Sequence, residues 1–69
     1  MTLKKRSLSI AGHQSSLALE PEFWAALDAV AEETGRSVPA LIAEIDSGRS
    51  PDRGLASAVR VWLLNRARS

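Results

Sequence analysis

The sequence predicts a mainly α-helical fold with a short β-strand ahead of the first helix. Three observations predict it. Apolar residues first alternate along Ser16, Leu17, Ala18 and Leu19, then recur at helical spacing from Phe23 onward, so the period changes from two to about 3.6 within five residues. Two further helical stripes follow, at residues 38–45 and 55–63, with the loop-like run DSGRSPDRG between them. The chain contains no cysteine, so its stability must come from packed apolar faces or from a partner, not from disulfides.

Composition narrows the function classes. Sixty-nine residues make one small domain, and at 45% hydrophobic residues the chain is too apolar for disorder. No apolar run approaches the ~20 residues that span a bilayer. The segment after Lys4, Lys5 and Arg6 is too polar for a signal-peptide core, so a cytoplasmic protein with no membrane association is expected. The single histidine, His13, makes no metal site alone. No Gly-x-Ser-x-Gly elbow, phosphate loop, zinc spacing or dinucleotide fingerprint is present, so neither catalysis nor a cofactor is expected. The net charge of +1 hides a segregation. Residues 1–19 hold Lys4, Lys5 and Arg6 and no acid, residues 20–46 hold seven acids against Arg36, and residues 47–69 hold five arginines against Asp52. Basic ends around an acidic middle suit a protein whose ends meet phosphate while its middle stays solvated.

Taken in order, residues 1–6 read as a flexible basic arm and residues 7–69 as one domain. In SLSI the apolar residues Leu8 and Ile10 are even-numbered; after AGHQ they are odd-numbered, Leu17 and Leu19. A strand cannot change parity without an extra residue or a turn. Two solutions exist: one long strand broken by a bulge at Gly12, or a hairpin turning within residues 11–14. The first is taken forward, with a regular strand at about 14–19. Pro21 and Glu22 suit a helix start, and Phe23, Leu27, Val30 and Ala31 form the stripe of a helix at about 21–34, with Gly35 as its left-handed cap. Ser37 is the N-cap candidate of a second helix at about 37–46, with Leu41, Ile42 and Ile45 on its apolar face. A third helix at about 53–66 carries Leu55, Ala58, Val59, Trp62 and Leu63 on one face, and Val61 and Leu64 on part of another. A helix apolar on two sides touches two things, such as its own core and a second subunit.

A lone strand leaves a row of unpaired amides and carbonyls. The simplest repair is a two-fold dimer in which each chain gives one strand to an intermolecular antiparallel ribbon. Leu17 and Leu19 then face both subunits' helices, while Gln14, Ser16 and Ala18 face solvent or a ligand. Leu17, Leu19, Phe23, Leu27, Val30, Leu41, Ile42, Ile45 and Trp62 form the expected dimer core. A two-stranded ribbon has the width to enter the DNA major groove.

These residues also carry a resemblance. The run SLALEPEFWAALDAVAEETGRSVPALIAEI, roughly residues 14–46, resembles the ribbon-helix-helix fold of the Arc and MetJ repressor superfamily. Its most telling parts are the alternating strand, the acid- and Pro-containing helix start, and the inter-helix turn AEETGRSV. The flanking runs KRSLSIAGHQSS and LASAVRVWLLNRAR are similar to those of a bacterial subgroup of ribbon-helix-helix domain proteins. The resemblance implies an intertwined homodimer that binds double-stranded DNA and represses transcription. It implies base contacts from Gln14, Ser16 and Ala18, and phosphate contacts from Arg36, Ser37 and Val38 at the second helix start, with Lys4, Lys5 and Arg6 adding to them. Ala18 departs from the family's frequent polar or basic residue there, and the break at residues 46–54 departs from its uninterrupted second helix. Two other classes stay open. One is a protein-interaction module, antitoxin-like or accessory, using the Trp62 helix or the ribbon to hold a protein partner; the absence of a tail beyond the third helix speaks against the antitoxin. The other is a structural role in a phage or plasmid partition assembly.

Overall fold

The computed structural model describes residues 2–68. Two strands come first, β1 (Lys4–Ile10) and β2 (His13–Leu19), followed by α1 (Pro21–Thr34), α2 (Val38–Gly48) and α3 (Leu55–Arg68). The strands pair antiparallel within the chain, with Ile10 facing His13, Leu8 facing Ser15, Arg6 facing Leu17 and Lys4 facing Leu19. This corrects one expectation: the segment is a hairpin rather than one broken strand, so β2 is not a lone strand and has β1 of its own chain along one edge.

The physical reason lies at Ala11 and Gly12. Both have positive φ, 51° and 83°, which is what a two-residue type I′ turn demands. Such a loop sets even-numbered residues of one strand opposite odd-numbered residues of the other, so Leu8 and Ile10 share a face with Leu17 and Leu19. The parity switch is thus the mark of this turn. Pairing also absorbs Lys4, Lys5 and Arg6 into β1, so the basic arm expected over residues 1–6 gives way to a strand from Lys4 onward. Two side-chain ties hold its start. Trp24 Nε1 donates to the Lys4 carbonyl at 2.7 Å, and the Arg6 guanidinium meets both Asp28 carboxylate oxygens at 3.0 and 3.1 Å.

Pro21 starts α1 where no amide hydrogen is needed. Gly35, at φ 69°, ends it, and the amides of Gly35 and Arg36 both donate to the Ala31 carbonyl. Ser37 caps α2, its Oγ accepting from the Ala40 amide at 3.2 Å. The helices form a layer under one face of the hairpin. Ile10, Leu17 and Leu19 from the sheet meet Trp24, Leu27 and Val30 of α1, Leu41, Ile42 and Ile45 of α2, and Ala58, Val59 and Leu63 of α3. One chain is therefore enough to bury seven of the nine residues expected in a dimer core; Phe23 and Trp62 pack against this core half-buried. No polar side chain is buried among the described residues. None of their helices is long and apolar enough to cross a membrane.

Candidate nucleic-acid interface

Alternation along the hairpin assigns its two faces. Leu8, Ile10, Leu17 and Leu19 turn toward the helices, so Lys5, Ser7 and Ser9 of β1 and Gln14, Ser16 and Ala18 of β2 share the outward face. Lys5 stands opposite Ala18, Ser7 opposite Ser16, and Ser9 opposite Gln14. All but the half-buried Ala18 are exposed. The three residues expected to touch bases thus lie together on one open surface. Reasoning from a lone strand missed Lys5, Ser7 and Ser9, because it gave β2 no neighbour in its own chain. The signal was present: SLS alternates as SSLAL does, with opposite parity.

No acid occurs anywhere in residues 4–19. The hairpin's carboxylate partner is Asp28, engaged by Arg6, whose guanidinium also sits 4.4 Å from the centre of the Trp24 ring. The Arg6 hydrogen bonds hold the Asp28 carboxyl below the usual carboxylate range and push the guanidinium up. Arg6 therefore straps β1 to α1 through a pair whose two partners are well exposed, a tie worth at most about 1 kcal/mol. Lys4 and Lys5 make no ion pair among the described residues and remain the hairpin's open cations. At the hairpin–α1 junction the Glu20 carboxyl is likewise held low, first by its own backbone amide and then by Arg60, whose Nε lies 2.9 Å from it.

The start of α2 is a second cluster. The amides of Ser37 and Val38 carry no hydrogen bond among the described residues, whereas the Ala40 amide is taken by Ser37 Oγ and Pro39 has none. Arg36 lies beside them, its Nη1 3.1 Å from Glu44. Both partners are well exposed, and such a pair is worth at most about 1 kcal/mol, so an arriving phosphate can take Arg36 from Glu44. Free amides at a helix start favour an anion. No group of three or more metal-ligating side chains is assembled among the described residues, and His13 lies exposed next to the turn.

A two-stranded ribbon with an open polar face, free of acids and carried on a helical layer, has the dimensions of a major-groove reader: strands lie about 4.8 Å apart and the groove is about 12 Å wide. No curated protein and no solved structure matches the chain significantly. The sequence model of the ribbon-helix-helix domain does match, over residues 3–67, and at that coverage the protein belongs to the ribbon-helix-helix domain family, whose members generally dimerise and bind DNA as transcription regulators.

Proposed function

We propose that the protein is a sequence-specific repressor that lays the outward face of its own hairpin in the major groove, acting as a homodimer with one ribbon per copy. The observation that carries this reading is the outward face itself: exposed, polar, free of acids, and built from both strands of one chain. Gln14 pairs bidentately with adenine, Ser7, Ser9 and Ser16 accept or donate at base edges, and Ala18 touches a thymine methyl. Lys5 reaches guanine or phosphate. Lys4, Arg36 and the amides of Ser37 and Val38 hold the backbone on either side.

Width favours one ribbon per copy. Joining the β2 edges of two chains makes a four-stranded sheet about 14 Å across before side chains are added, wider than the ~12 Å groove. Each copy then reads its own half-site. If Lys4, Lys5 and Arg36 of two copies neutralise about six phosphates, binding falls with salt at a log–log slope of about −5. The repressor blocks transcription by occupying the groove.

The test is selection of the purified protein on a random duplex pool at physiological salt. Enrichment of paired short half-sites is expected. Gln14→Ala relaxes preference at one base pair, and Arg36→Ala weakens binding to all sequences alike. DNA bound only at low salt, with nothing enriched, would reduce the protein to a non-specific binder. A Gln14→Ala variant with every base preference intact would sink the readout.

A further inference from the structure

The sheet is two strands wide, so each strand keeps one open edge. The register says which backbone groups stand on the edge of β1. A two-residue turn makes Ile10 and His13 a pair that exchanges both backbone hydrogen bonds, and such pairs alternate with pairs that exchange none. Leu8 and Arg6 therefore bond to β2, whereas the amides and carbonyls of Lys5, Ser7 and Ser9 point away from it. No hydrogen bond among the described residues reaches these outward groups. The strand runs unbroken from Lys4 to Ile10, with no proline or glycine to spoil its edge. Leu8 lies on the inner face yet stays half-buried, whereas Ile10, Leu17 and Leu19 are buried. At the start of β1 a cleft of about 470 Å³ opens toward α1, where Lys4, Lys5, Pro21 and Ala25 line it and Asp28, its one carboxylate, is held by Arg6. No residue of β2 lines this cleft, so it lies on the open side of β1.

We propose that the open edge of β1 takes up an extended, acid-bearing segment of a different protein as a third, antiparallel strand. The backbone selects the class of partner. Amides alternate with carbonyls along this edge, so the occupant must offer acceptors and donors at the strand repeat. Another peptide backbone offers both. The phosphates of DNA offer acceptors alone and leave the carbonyls of Lys5, Ser7 and Ser9 unmatched. The side chains select the charge. Residues 4–19 hold no acid, and neither Lys4 nor Lys5 makes an ion pair among the described residues. Lysines on an edge turn away strands of like charge, which blunts pairing between hairpins of the same kind. They attract glutamate or aspartate: a partner residue opposite Lys5 shares its outward face, and opposite charges across a strand pair are stabilising. On the inner face, a β-branched apolar residue opposite Leu8 covers the part of that side chain that the fold leaves in water. The matching segment alternates acids outward with apolar residues inward. The edge is the same whether or not the outward face meets a duplex, and a sheet joined through the β2 edges of two chains would leave both β1 edges outermost.

Amide hydrogen exchange followed by NMR on the full chain tests it, without DNA and with a blocked peptide as long as β1 that alternates Glu and Val. At up to about 5 mM peptide, the Lys5, Ser7 and Ser9 amides are expected to exchange about threefold or more slowly. The Arg6 and Leu8 amides, already bonded to β2, are expected to stay unchanged. Two control peptides are expected to protect nothing: one with Lys in place of Glu, and one fully N-methylated, which keeps its charges but has no amide hydrogens. Lys5→Glu is expected to weaken uptake of the acidic peptide about fivefold or more. No protection of the three amides overturns the proposal. So does equal binding of the N-methylated peptide, which would leave charge alone as the attraction, or a Lys5→Glu chain that binds as well as the wild type. Protection that rises with chain concentration alone would give the edge to a second copy, and protection by a DNA duplex would give it to nucleic acid; either result overturns it too.

Discussion

The hairpin's two faces share one backbone and do opposite things. Toward the helices stand Leu8, Ile10, Leu17 and Leu19, with Leu19 wholly buried. Away from them stand Lys5, Ser7, Ser9, Gln14 and Ser16, all exposed. The difference teaches where each kind of selection acts. Burial dictates Leu8, Ile10, Leu17 and Leu19, because a one-residue slip would drive serines into the core and leucines into water. The intervening residues are released from packing. Solvation alone accepts acids there as readily as lysine or serine, and none occurs.

The comparison breaks hardest on the inner face. Leu19→Ala should cost about 2–5 kcal/mol, comparable to the whole stability of a domain of this size, and urea unfolding followed by circular dichroism should show a protein largely unfolded or close to it. If instead Leu19→Ala were neutral, the register that sets Leu19 opposite Lys4 on the inner face would be wrong. The turn that joins the faces comes next. Gly12 has open space around its α-carbon, so Gly12→Ala should cost only the left-handed backbone penalty, about 1–2 kcal/mol, read as a drop of several degrees in Tm. Ala11→Asn should move the other way by a few tenths of a kcal/mol, because Asn tolerates that conformation better than Ala.

The Arg6–Asp28 strap is smaller still. The Asp28 carboxyl is depressed in the folded chain, so its contribution is present above the unfolded value of about 3.9 and is lost as pH falls through the lower folded value. Both partners are substantially exposed, which limits the effect to about 1 kcal/mol or less. Asp28→Asn should lower stability slightly at pH 7 and flatten its decline below about pH 4, measured by urea midpoints across that range. Least of all should change on the outer face. Ser7→Ala and Ser16→Ala should shift stability by no more than about 0.5 kcal/mol while altering base preference in duplex selection, so that the two faces separate cleanly into folding and reading.

Legibility followed the range of the interaction. The helix start at Pro21, the Gly35 cap and the Ser37 cap involve neighbours a few residues apart, and each is visible in the residue types themselves. The hairpin was half visible. Its parity switch was in the sequence, but Ala-Gly is a weak form of the turn that Asn-Gly announces strongly, and so the bulged strand competed with it. The outward placement of Gln14, Ser16 and Ala18 followed from alternation alone, whereas their company with Lys5, Ser7 and Ser9 required the register. The place of Arg6 was hidden for the same reason. Nothing local says that a residue in a basic cluster will lie over Trp24 and bind Asp28, 22 positions away.

What the sequence by itself determined is the set of amphipathic pieces: two alternating runs, three helical stripes and their caps, along with a stretch that carries bases but no acids. Periodicity and capping are short-range, so the residues that cause them lie beside the residues that show them. What only the tertiary structure decided is which pieces meet. It closed the ribbon within one chain, turned Arg6 from an arm residue into a strap, buried most of the expected dimer core in a single copy, and left Val61 and Leu64 uncovered. Those outcomes depend on contacts between distant segments, where several pairings satisfy the same local pattern and only the packing of the whole core selects among them.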